Sequence, residues 1–311
     1  MQAQMNQEIE EFIKKCIFKG SEHGSIEDVN IECPVVNGKF HGKCIISFDH
    51  DNIHHKIIYY YVDGLRHGNY EEIKNITRNI GIRAQRIRNI PKIISMSTKC
   101  NYQNDKLQGE YRKFYNDICI KSCNYIDGKR DGLYEYFYCN GMIYVRCNYQ
   151  NGLKHGLYEE YYDKGNISRR CSYKDGLKHG LYEDHDHNDG MSKRYFYEND
   201  LKEGMCVSYY PGKFKRKECM YIHGQKHGEY KYYSNGLLRR YCSNYIDGKK
   251  NGVYETFDSK GEITFEGQYR DGIRHGISKT YYNNLNSVLE EHYENGELIK
   301  STPLTYSPIT F

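Results

Sequence analysis

Short runs rich in tyrosine and other β-formers, each closed by a polar glycine turn, follow one another along most of the chain. Arg146 to Gly165 shows the pattern: Arg-Cys-Asn-Tyr-Gln, then Asn151-Gly152-Leu153-Lys154-His155-Gly156, then Leu-Tyr-Glu-Glu-Tyr-Tyr, then Asp163-Lys164-Gly165. The runs are too short for helices, and Asn-Gly or Asp-Gly supplies the positive φ angles that a tight hairpin needs. Each unit therefore reads as a β-hairpin. Turn pairs at its other end, Asn140-Gly141, Lys164-Gly165, Asp189-Gly190, Asn235-Gly236 and Lys260-Gly261, join hairpin to hairpin without a crossover. The pattern predicts an all-β protein, an elongated antiparallel meander.

A recurring phrase, Tyr-x-Asx-Gly-x-Lys/Arg-His-Gly-x-Tyr, sets the period. Its second glycine falls at Gly42, Gly68, Gly109, Gly132, Gly156, Gly180, Gly204, Gly228, Gly252 and Gly276, and the last six intervals are all 24 residues. So fixed a period means one supersecondary unit stacked many times, each copy touching its neighbours. Two strands per copy at ~4.8 Å each give about 10 Å per copy, so the array would be a ribbon on the order of 100 Å long. Tyr125, Tyr149, Tyr173, Tyr197, Tyr221, Tyr245, Tyr269 and Tyr293 then form a ladder. Tyr134, Tyr158, Tyr182, Tyr230 and Tyr254 on the following strands would give cross-strand contacts worth ~0.2–1 kcal/mol each. Cys100, Cys123, Cys147, Cys171 and Cys219 each stand two residues before a phrase tyrosine, on the same strand face.

An open sheet needs its edges covered. Ile9, Phe12, Ile13, Cys16 and Ile17 have helical spacing and predict a short N-terminal helix as a cap. Pro303 and Pro308 would blunt the last strand, because proline donates no ladder hydrogen bond. The chain divides into a cap segment over 1–34, with Gly20, His23 and Gly24 as a decayed copy, the array over 35–298, and a tail over 299–311.

Composition narrows the function classes. There is no Trp, but there are 34 Tyr and 11 Phe, which suits a half-wet sheet face better than an oily core. The net charge of +4, at 28% charged residues, offers no overall field to nucleic acid, so that partner is disfavoured. No apolar run is long enough for a signal peptide or a membrane span. The expectation is a cytoplasmic protein whose 12 cysteines stay reduced.

The phrase residues, Gly132, Gly156, Gly180, Gly228, Gly252 and Gly276 with Tyr149, Tyr173, Tyr221 and Tyr245, resemble the MORN repeat family. The resemblance is closest to its variant form, in which Tyr-x-Asn-Gly-Lys-x-His-Gly-x-Tyr-x-x-Tyr-Tyr replaces a pattern with extra glycines and a tryptophan. It covers about Val35 to Leu298. It implies an extended meander that dimerises, scaffolds partners or lies near membranes, and phosphoinositide binding has been proposed for such proteins. Variant repeats are similar to those of large DNA viruses, which would place the chain in host cytoplasm, and of bacterial antitoxin-like proteins. Family enzymes carry a separate catalytic domain, for which this chain has no room.

Three places offer chemistry. Residues 74–99 interrupt the period and hold Lys74, Arg78, Arg83, Arg86, Arg88, Lys92 and Lys99 with no acid, interleaved with seven isoleucines. Arg78, Arg83, Arg86, Arg88 and Lys92 could contact anionic headgroups at ~1 kcal/mol each, or the insert could be an extra hairpin or short helix packed on the array. The turn cations Arg66, Arg130, Lys154, Lys178, Lys202, Lys226, Lys250 and Arg274, with His41, His67, His155, His179, His227 and His275 beside them, would project along one rim. Asp63, Asp127, Asp175, Asp247 and Asp271 share those turns and would neutralise much of that charge. His185 and His187 would share a strand face and could hold Zn²⁺, although two histidines are fewer ligands than such a site needs. Cys119 and Cys123 lack a second pair for zinc, and the cysteine row reads as small buried apolar side chains.

No phosphate loop, nucleophile elbow or His-Glu-x2-His motif occurs. No cofactor and no catalysis are expected. The chain reads as a noncatalytic repeat scaffold for an unidentified protein or for a second copy of itself. The alternatives are an anionic-lipid adaptor acting through the insert and rim, and an antitoxin-like inhibitor of a partner protein.

Overall fold

The computed structural model describes residues 26–50, 52–77, 93–187, 190–211, 214–234, 238–282 and 287–305. Among them every regular element is a strand, and no helix is long and apolar enough to cross a membrane. The chain forms two units, Met1–Leu153 and Lys154–Phe311.

In the first unit Ile26–Glu32 pairs with Gly42–His50, and the ladder continues through Ile53–Val62, Gly68–Thr77, Ile93–Gln103, Gly109–Tyr115, Ile118–Ile126, Lys129–Phe137 and Ile143–Gln150. Every pairing is antiparallel and joins chain neighbours, so the unit is a meander. The second unit repeats this plan from Leu153–Tyr161, which enters it at Lys154, to Glu297–Thr305.

Two backbone devices recur in each copy. At the turn, Asp175 (φ 50°) and Gly176 (φ 87°) are both left-handed, which is the type I′ geometry whose twist matches the flanking strands. Asn199 with Asp200 and His223 with Gly224 keep the same signs, so the turn survives loss of one glycine or of the Asx residue. The second glycine lies in a bulge: Tyr173 pairs with Lys178 but Cys171 pairs with Tyr182, so Gly180 (φ 88°) belongs to an excess of residues on one strand.

The ladder starts upstream of Val35, with Ile26–Glu32, and runs past Leu298 to Thr305, where Pro303 pairs with Leu289. The helix expected over Ile9 to Ile17, the copy around Gly20 and Gly24, and Pro308 lie outside the described residues. Both ends of the basic insert belong to one long hairpin, registered from Gly68 opposite Tyr102 to Thr77 opposite Ile93.

One apolar core cluster stands out, in the first unit. Cys44, Ile46, Phe48, Ile57 and Tyr59 are buried together, with Ile31, Cys33, Phe40, Tyr61 and Tyr70 against them. Cys44, Ile46, Phe48 and His50 alternate along Gly42–His50, so one strand face is wholly buried while the other is half exposed.

Candidate functional site

The most regular chemistry in the molecule lies on one face of the repeats. In most phrases the cation is four residues before a tyrosine on its own strand, as Lys154 is before Tyr158, an even spacing that puts both on one face; after Lys202 and Arg274 that position holds Cys206 and Ser278. The strand on one side of it brings up the next phrase tyrosine, so each ammonium or guanidinium rests over aromatic rings. Lys154 stands 4.3 Å from the Tyr158 ring centroid and 5.0 Å from Tyr173. Lys226 is 4.4 Å from Tyr230 and 4.9 Å from Tyr245, and Lys250 is 4.0 Å from Tyr254 and 5.1 Å from Tyr269. Lys178 does the same with Tyr182 and Tyr197. In the copies of Tyr134, Tyr158, Tyr182, Tyr230 and Tyr254 the two rings meet edge to face, as Tyr158 and Tyr173 do at 5.6 Å. A cation over a ring is worth ~0.5–1 kcal/mol when partly exposed, and an edge-to-face pair ~0.5–1.5 kcal/mol.

The rim expected for these cations is therefore replaced by a ladder on the sheet face. Arg66 and Arg130 follow the same rule over Tyr102 and Tyr149, while Arg274 lies over Tyr293 and Phe265. Arg130 also donates to the Tyr149 hydroxyl at 3.2 Å, and Arg274 to that of Tyr293 at 2.9 Å. The backbone fixes each cation as well: the carbonyl of Lys154 accepts from the Gly176 N–H, and that of Lys226 from Gly248, both at 2.8 Å. Each turn is thus tied to the cation of the preceding copy.

The histidine position serves the next turn rather than solvent. Where it is Asp131 or Glu203, its carboxylate accepts the backbone N–H of Asn151 (3.0 Å) or His223 (2.8 Å), and His275 Nδ1 faces Asn295 N–H at 3.4 Å. In His155, Nδ1 is buried 3.5 Å from the Asp175 carboxylate.

Behind the cations runs a row that alternates large and small side chains across the strands: Tyr134, Cys147; Tyr158, Cys171, Tyr182; Cys219, Tyr230, Ser243, Tyr254. Cys147 and Cys171 are 2% exposed and Ser243 is 1%. One copy exchanges the sizes: Tyr195 takes the cysteine position and Cys206 the tyrosine position, and Lys202 leans over Tyr195 at 4.3 Å instead. Further on, Gly267 leaves a gap that the Phe265 ring covers, 2.8 Å from where a Cβ would be. The Tyr195–Cys206 exchange keeps the summed volume of the row, whereas Gly267 opposite Ser278 does not.

Burial raises the Cys171 and Cys206 thiols and pushes Cys219 up to about 11, and likewise raises Tyr221 to about 12. These groups are packing elements and hydrogen-bond donors at neutral pH, and no described thiol is in a disulfide.

The opposite face carries cross-strand ion pairs. Glu135, Glu159 and Glu183 face Arg146, Arg170 and Arg194 at 2.8, 2.8 and 3.7 Å. Between these pairs stand exposed apolar side chains such as Leu133, Leu157, Phe196, Met205 and Met220.

The other candidate residues are dispersed. Strand Leu177–His185 ends at His185, and His187 falls in the turn beyond it, where its ring stacks on Tyr162 at 4.0 Å. The shared strand face expected for the pair does not form, because the Asp186 N–H bonds the Gly190 carbonyl and closes a turn. Among the described residues no three His, Cys, Asp or Glu side chains gather as a metal-ligand set. Arg78, Arg83, Arg86, Arg88 and Lys92 lie outside the described residues, while Lys74 and Lys99 pair with Glu72 and Glu71 at 2.8 and 3.1 Å.

Comparison with known proteins agrees with this repeat geometry. No curated protein matches the chain. Among solved structures, a porin-like protein from Bacteroides uniformis is similar over 89% of this chain and 93% of its own, at 10% identity and a TM-score of 0.18, too low to support an argument. The family model described as MORN repeat variant matches residues 130–151 and 154–175, two adjacent copies of the hairpin with its cation and tyrosines. Two adjacent repeats of this chain thus match the MORN repeat variant.

Proposed function

We propose that the protein is a noncatalytic scaffold whose recognition is spread over successive repeats, binding a macromolecular partner or a second copy of itself. The observation that carries this reading is the recurrence of one set of groups, a cation between two tyrosines, in copy after copy of the second unit. An enzyme concentrates perturbed groups at one place; here burial raises phenols and thiols all along the row. Repeats of this kind act as sums of nearest-neighbour terms, so affinity should fall in steps as copies are removed.

The test removes residues 180–203, one 24-residue period, which restores the phase of the phrase at Gly204. Partners recovered from the native cell, and the mass of the pure protein in solution, report binding and self-association. A folded deletion variant with weakened binding supports distributed recognition. Abolished binding in a folded variant would show a single decisive site instead.

A further inference from the structure

We propose that the cation row of the second unit, Lys154, Lys178, Lys202, Lys226 and Lys250 continued by Arg274, is a docking track for an extended acidic peptide with a carboxylate at every third residue. The inference rests on the scaffold reading and names the chemistry of its partner.

Charge is the first argument. None of these six cations makes an ion pair among the described residues, although acids share their face. Glu160 and Asp184 are both taken by Arg169, at 3.1 and 3.0 Å, and the Glu291 carboxylate accepts from the Tyr293 hydroxyl at 3.2 Å. Rings hold the lysines in place without neutralising them, which leaves a row of half-buried, positioned cations with no direct ion pair, although the Asp200 carboxylate accepts the Lys178 backbone N–H at 2.8 Å. Burial keeps Tyr173, Tyr197, Tyr221 and Tyr245's neighbour Tyr230 as protonated phenols at neutral pH, so hydroxyl donors flank the track.

Spacing is the second. Successive lysines are two strands apart, about 10 Å. A polyproline II chain rises ~3.1 Å per residue with three residues per turn, so every third side chain returns to one side after ~9.3 Å. A β-strand covers a similar distance in three residues, but its two-residue alternation sends every third side chain to opposite sides. A helix matches only at every seventh residue, and its ~10 Å diameter holds its backbone farther from lysines set between rings. Aromatic surfaces already suit polyproline II ligands.

The probe is a fluorescein-labelled Glu-Pro-Pro repeat peptide, titrated into the full chain by anisotropy. Controls are an equal-charge peptide with glutamate at every second residue, a helical peptide with glutamate at every seventh, and phosphatidylserine vesicles. The Glu-Pro-Pro peptide should bind tightest and weaken with salt. The variant Lys178→Gln/Lys202→Gln/Lys226→Gln should bind it about tenfold more weakly, since three exposed ion pairs at ~0.5 kcal/mol each sum to one decade. Lys178→Arg/Lys202→Arg/Lys226→Arg should bind like the parent, and both variants should keep the parent's circular dichroism. Equal binding by parent and glutamine variant, preference for either control peptide, or binding of vesicles alone would overturn the proposal. A chain that ignores every peptide yet loses a native partner stepwise on repeat deletion leaves the scaffold reading standing and this one refuted.

Discussion

The hairpin Gly42–His50 with Ile53–Val62 and the repeats of the second unit share the antiparallel ladder, but they are held together differently. The hairpin buries Ile46, Phe48 and Ile57 at 4%, 1% and 1% exposure, an aliphatic and aromatic core in miniature. In the repeats the buried positions are cysteine, serine and the tyrosines Tyr158, Tyr182 and Tyr230, and each of these rings has a cation across it. The first is stabilised mainly by removing hydrocarbon from water, the second by many small directional contacts that repeat. Deleting one group should therefore hurt the hairpin far more than it hurts a repeat.

The largest effect is expected in the hairpin. Phe48→Ala should cost ~3–5 kcal/mol, because the vacated space is walled by packed side chains. Urea unfolding, followed by amide exchange over residues 42–62 and over 168–198, should show the loss confined to the former.

Acid should act on the same place. Burial, and then the nearby Lys74 charge, pull His55 down to about 4, and its ring stacks on Phe48 at 4.5 Å. Free imidazole titrates near ~6.5, so the unfolded chain takes up this proton first. The contribution is fully present above about pH 6.5 and is lost as pH falls toward about 4, on the order of 2 kcal/mol in all. Exchange in the hairpin should rise over that window, and His55→Phe should flatten the dependence.

In the repeats, Gly156→Ala should cost ~1–2 kcal/mol through its left-handed backbone alone, because nothing lies within 4 Å of the added methyl group. Smallest of all, Lys178→Met should cost about 0.5–1 kcal/mol, the value of one cation over its rings. Thermal unfolding of single variants against Lys178→Arg would resolve it.

The meander was legible because glycine has few reasons to recur every 24 residues other than a turn or a bulge, and both are found, at Gly176 and Gly180. The cysteine row was legible from its two-residue spacing to the phrase tyrosine. The lysines were misplaced on a rim because they follow a turn, yet the even spacing of Lys154 to Tyr158 already put them on one face. What spacing could not show was the second ring, Tyr173, which the hairpin register brings from 19 residues away. Nor could it show that Tyr195 and Cys206 trade places, because compensation across strands depends on register and not on order along the chain.

The most direct test of the ladder is the proton NMR shift of the lysine ε-methylenes. Positioned over tyrosine rings, those of Lys154, Lys178, Lys226 and Lys250 should resonate upfield of the exposed Lys129 and Lys249, and each should move back when its ring is replaced, as in Tyr158→Leu for Lys154. Shifts indistinguishable from those of the exposed lysines would contradict the account.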